Sequence, residues 1–125
     1  MNRRDLDERL TSTSQDLALA LTSAHSLTLE AKEAQAVVAD RKAELKSAEA
    51  AARLTDLKGS NKEAREAEVY EMCTPAREAV QAAEAHAAGL EAKVSDAHLR
   101  VTIARHEHQL ARDLLHLYTS EIHDT

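Results

Sequence analysis

Two long runs of apolar residues, spaced alternately three and four apart, restrict this chain more than any other feature. The first passes through Leu17, Ala20, Ala24, Leu27, Ala31, Ala34, Val38, Leu45, Ala48, Ala52 and Thr55, with Arg41 its one strongly polar member. The second passes through Val69, Cys73, Ala76, Val80, Ala83, Ala87, Leu90, Val94, Ala97, Val101, Ala104, His108, Ala111, Leu115, Tyr118 and Ile122. At about 3.6 residues per turn such positions line one side of a helix, so each run predicts a long helix with an apolar seam. Between them lies Lys58-Gly59-Ser60-Asn61. Glycine there can take the left-handed conformation that ends a helix, and Ser60 with Glu63 has capping-box spacing for the next start.

The expectation is therefore all-α: a long antiparallel helical hairpin with coiled-coil-like packing, forming a single domain over residues 1–125. Arm one is expected over about 14–57, the turn over 58–61 and arm two over about 62–120. Reversal at that turn sets Val38 opposite the neighbourhood of Ala82, and Leu17 opposite that of Ile103. Thr11-Ser12-Thr13-Ser14 favours caps and turns, which predicts a short helix over about 4–10, either separate or fused to arm one with a bend near Thr11. Pro75 lacks a backbone N–H, yet the seam register passes through it unchanged. A kinked continuous helix near 75 is the first reading, and a break with Thr74 as N-cap and Pro75 as first helical residue is the second.

Composition explains why such a hairpin should not stand alone. Of the 43 % hydrophobic content alanine is the largest part; Phe and Trp are absent, and Tyr70 and Tyr118 are the only aromatic residues. Few large side chains exist to fill a compact interior, which predicts a thin fold that assembles into a helical bundle or ring. Ala82, Ala83, Ala85, Ala87, Ala88 and Gly89 are expected to let the arms approach closely near Ala31, Ala34 and Ala36. Leu17, Leu21, Leu110, Leu114, Leu117 and Tyr118, at the end far from the turn, are the expected oligomer contacts.

Chemistry-bearing constellations are scarce. No Ser/His/Asp set, glycine-rich phosphate loop or HExxH pattern occurs, so no catalytic residues, cofactor or enzyme activity are expected. His98, His106, His108, His116 and His123 crowd the last helix, but their spacing resists metal coordination; His108 falls on the seam, where a hydrogen-bonded partner is the expectation. Cys73 reads as a buried, inert thiol, and both tyrosines read as packing residues. No run of ~20 apolar residues or secretory signal pattern appears, which predicts no membrane partner and a cytoplasmic setting.

The net charge of −6 excludes a surface that coats nucleic acid throughout, so any such binding must be local. Residues 66–96 hold seven carboxylates against Arg77 and Lys93, whereas 53–65 hold Arg53, Lys58, Lys62 and Arg65 against Asp56 and Glu63. This basic tip is one candidate phosphate site. A second is His98, Arg105 and Arg112, repeating every seven residues, with Arg3 and Arg4 brought near by the hairpin.

Ala52-Arg53-Leu54, followed after four residues by Gly59, resembles the segment preceding the turn in UvsY-type recombination mediator proteins of bacteriophages. The layout is also similar to other small Ala/Glu-rich helical phage proteins. The resemblance implies a ring-forming helical protein that binds single-stranded DNA through basic residues near this segment and helps load a RecA-like recombinase. Arg53 is the position carried over as a nucleic-acid contact; where the family usually has a lysine two residues earlier, this chain has Ala51. The alternative expectation is a protein-interaction module, a virion assembly factor or host-directed adaptor, with no affinity for nucleic acid.

Overall fold

The computed structural model describes the backbone of residues 2–124 and the side chains of residues 2–121. It consists of three helices, α1 (Arg3–Arg53), α2 (Lys62–Met72) and α3 (Thr74–Asp124), with no strand among the described residues. The two long helices α1 and α3 pack against each other as an all-α helical hairpin. Its contacts divide into two compact units, one of residues up to Leu29 and from Ala92 onward, the other Glu30–Glu91.

In the first unit, Leu6 and Ala24 of α1 are buried together with Ala97, Val101, Ala104 and Ala111 of α3, and Leu17, Ala20 and Leu27 pack against the Ala24, Ala97 and Val101 cluster. Thr13 adds a buried hydroxyl, 3.0 Å from His108 Nδ1. An early residue of α1 thus meets a late residue of α3, which makes the pair antiparallel. In the second unit, Ala31, Ala34, Val38 and Ala52 are buried with Val69, Cys73, Val80, Ala87 and Leu90, and Lys42 Nζ lies 3.9 Å from Glu84 across the seam.

Every described side chain of the two expected seams is buried or half-buried except Thr55; that of Ile122 lies outside the described residues. Small residues dominate, and each buried CH₂-sized group adds only about 0.8 kcal/mol. Stability therefore accumulates along the seam rather than in one dense cluster.

Several boundaries differ from expectation. No separate helix covers 4–10, because α1 starts at Arg3, with Asn2 Oδ1 accepting from Asp5 N at 2.9 Å, and is unbroken through residues 11–14. The Thr11 and Thr13 hydroxyls donate to the carbonyls of Asp7 and Leu10 at 3.0 and 3.1 Å, so they bond back into the helix instead of ending it.

Arm one ends at Arg53 rather than 57, and the connection runs over residues 54–61. Leu54 and Thr55 N–H turn to the carbonyls three residues back at 3.1 Å, tightening the end of α1. Leu57 then packs on Ala52, Val69 and Cys73, while Glu68 accepts from Lys58 N at 2.8 Å. Gly59 has no positive φ; its Cα lies so close to the first turn of α2 that a Cβ would stand 2.6 Å from Arg65 N and 2.8 Å from the Ala64 carbonyl carbon. The cap of α2 is Asn61 instead of Ser60, in extended conformation (φ −139, ψ 174) with Oδ1 accepting from Ala64 N at 2.8 Å.

Arm two is two helices, separated at Cys73 (φ −95, ψ 7). The Cys73 N–H bonds to Val69 O at 3.1 Å, and its carbonyl accepts from Arg77 N at 2.9 Å, so Cys73 closes α2 and opens α3. Pro75 thereby falls in the first turn of α3, where its missing N–H has no helical acceptor to lose. The expected register holds to within a residue, Thr13 meeting His108 in the first unit and Arg53 meeting Glu66 in the second, while Ala82 and Ile103 are themselves exposed beside half-buried Ala83 and buried Ala104. Of the expected small-residue contacts, Ala31, Ala34 and Ala87 are buried, and Gly89 faces open space.

Candidate functional site

The basic tip belongs to the second unit. Arg53, the last residue of α1, directs its guanidinium to Glu66: Nε donates to Oε1 at 3.4 Å and Nη2 to Oε2 at 3.3 Å, with Glu49 3.9 Å from Nη1. The hydrogen bond first, and the charge second, hold the Glu66 carboxyl below the usual carboxylate range and raise Arg53 above its own. Arg53 thus already has two carboxylates around it. Lys58, Lys62 and Arg65 are exposed and form no ion pair among the described residues, although Arg65 Nε donates to Asn61 O at 3.3 Å. Lys62 and Arg65, three residues apart in the first turn of α2, share one side of it.

Behind the Arg53–Glu66 pair lies a cleft of about 130 Å³ reached by Tyr70, buried Cys73 and Arg77. Arg77 stacks over the Tyr70 ring at 3.4 Å from its centroid and donates to Tyr70 O and Thr74 Oγ1, each at 3.0 Å. Tyr70, expected as a packing residue, is largely exposed and carries this cation on its face.

In the first unit, Leu17 is half-buried in the hairpin's own seam, as is Tyr118, so neither side chain is fully available to another subunit. Leu21, Leu110, Leu114 and Leu117 are exposed. The second basic candidate is not assembled as expected: Arg3 and Arg4 pair with Asp7 and Glu8 of their own helix at 3.9 and 3.3 Å. Arg112 and His108 instead border an open cleft of about 390 Å³ with Leu10, Thr11, Ser14 and Gln15, while His98 and Arg105 are exposed.

His108 has the hydrogen-bonded partner its seam position calls for. The single Thr13 proton goes to Leu10 O, so the hydroxyl oxygen accepts from the Nδ1–H of His108. Among the described residues no three His, Cys, Asp or Glu side chains converge for a metal, and His123 lies outside them. No helix is long and apolar enough to cross a membrane among the described residues.

Sequence reasoning missed Glu66 and Glu49 as partners of Arg53. Glu49 carried a local signal, lying four residues earlier on the same helix; Glu66 did not, since its approach depends on the path of residues 54–61. No protein-family model matches this chain, and no curated protein or solved structure does.

Proposed function

We propose that this chain is a non-enzymatic protein that works by self-association, presenting helical surfaces to a protein partner as an assembly factor or adaptor. The observation that carries this reading is the exposure of Leu99, Ile103, Leu110, Leu114 and Leu117 on α3. A sedimentation measurement of mass tests the reading directly. It predicts an oligomer at micromolar concentration that a charge at Leu114 disperses, and a monomer for the unaltered chain removes it.

A second reading follows the resemblance to UvsY-type mediators, with single-stranded DNA and a recombinase as partners. Exposed Lys58, Lys62 and Arg65 favour it; the neutralisation of Arg53 by Glu66 does not. Multiple copies would add their weak phosphate contacts. Fluorescence anisotropy with a labelled oligonucleotide separates the readings. Binding that weakens steeply with salt and drops in a Lys58→Ala, Lys62→Ala, Arg65→Ala variant supports the mediator, and flat titrations at low salt eliminate it.

A further inference from the structure

An open cleft of about 390 Å³ lies in the first unit, lined by Leu10, Thr11, Ser14 and Gln15 of α1 and by His108 and Arg112 of α3. His108 and Arg112 fall roughly 160° around α3 from Leu110 and Leu114, so the cleft is on the other side of the helix from the exposed leucines. The half-buried imidazole of His108 is held from behind, its Nδ1–H donating to Thr13 Oγ1 at 3.0 Å because the Thr13 proton goes to Leu10 O. In the neutral ring Nε2 is then a bare acceptor, and one added proton makes it a second donor. Arg112 forms no ion pair or hydrogen bond among the described residues, and the side chains of Ser14 and Gln15 form no hydrogen bond among them either. The charge around the cleft is positive. Arg105, His108, Arg112 and His116 fall within roughly 80° of one another on α3, whereas Glu107 and Asp113 lie about 60° or more outside that sector. On α1, Asp7 and Glu8, about a turn before Thr11, are paired with Arg3 and Arg4 at 3.9 and 3.3 Å.

We propose that this cleft binds the phosphoryl group of a small phosphomonoester, with Arg112 and protonated His108 supplying the charge and Ser14 and Gln15 supplying neutral donors. Two cationic groups one helical turn apart match the dianion of a monoester better than the single charge of a phosphodiester. The Arg112 guanidinium is a planar fork of N–H donors with no carboxylate competing for it, and the Ser14 hydroxyl and Gln15 amide face it from the other helix. A carboxylate would engage the fork alone and leave the remaining donors unused. Leu10 supplies an apolar edge for the carbon that carries the phosphoryl oxygen. Because Nδ1 is committed to Thr13, the cleft meets either a bare Nε2, which repels an anion, or an Nε2–H, which donates to it. Binding therefore favours the protonated ring, and affinity falls as pH rises through the range in which an imidazole loses its proton.

Titration of the full chain with sulfate, inorganic phosphate and phenyl phosphate at constant ionic strength, followed by the imidazole resonances in NMR, tests the site. His108 is assigned by the signal lost in His108→Gln. Each anion should shift that signal saturably while His98 and His106, outside the cleft, shift little, and phenyl phosphate should bind more tightly than inorganic phosphate. Arg112 is exposed, so Arg112→Gln leaves the fold intact and should weaken binding on the order of tenfold. Sulfate keeps its charge over the whole range, so the fall in its affinity with rising pH reports His108 rather than the ligand. Equal shifts at all these histidines, an affinity that Arg112→Gln leaves unchanged, or a sulfate affinity independent of pH overturns the site. Phenyl phosphate bound no better than inorganic phosphate, or a labelled oligonucleotide bound more tightly than either and released by Arg112→Gln, overturns the small phosphomonoester as its ligand.

Discussion

At Gly59 the backbone of the first turn of α2 stands where a side chain would be, with Arg65 N 2.6 Å and the Ala64 carbonyl carbon 2.8 Å from a Cβ position. Backbone cannot swing aside as a flexible side chain can, so Gly59→Ala should destabilise the fold by about 1–3 kcal/mol in urea unfolding. Gly89 is the reverse case: it lies inside α3 with nothing within 4 Å of its Cβ position. Gly89→Ala should raise stability by about 0.5–1 kcal/mol through helix propensity alone. Equal effects at the two glycines would contradict the local geometry. Glu66 supplies a pH signature. Its carboxyl is held below its ordinary range by Arg53, so the contribution is present above the unfolded-chain value and is lost as pH falls through the lowered one. Stability of the parent chain should fall more in acid than that of Glu66→Gln, followed by urea unfolding across pH; superimposable profiles would rule the pair out as a source of acid sensitivity.

At the scale of elements, the first turns of α1 are part of the hairpin rather than an appendage. Leu6 is 4 % exposed, and Leu6, Leu10, Thr13 and Leu17 continue the three-four spacing without a gap. Leu6→Ala should therefore cost about 2 kcal/mol in global unfolding; a separate N-terminal helix would leave the main transition unmoved. The seams were legible because helical period alone decides which side chains share a face, whatever their size. Thr13 escaped that reading because a hydroxyl counts against a core position until its partners, Leu10 O and His108, are known. The cap of α2 was ambiguous in a different way. Ser60 and Asn61 are both good caps one residue apart, and the choice depended on how closely Gly59 lets the chain approach α2. At the tip, the cations were legible by composition, but their availability depended on the connection that brings Glu66 to Arg53.

Across the whole molecule, the hairpin's seam leaves much of the apolar surface uncovered. The seam is built largely from alanine, while among the described residues twelve large hydrophobic side chains, Leu54 and Leu19 foremost, are exposed. Under the self-association proposed above, association would contribute to the stability of each copy and couple unfolding to dissociation. This consequence separates an obligate assembly from a stable monomer that merely carries leucines on its surface. The most direct measurement is thermal unfolding followed by helical circular dichroism over a roughly hundredfold range of protein concentration. Self-association requires a midpoint that rises steadily with concentration and a Leu110→Glu variant that melts lower and loses the dependence; a midpoint independent of concentration in the parent chain would rule it out.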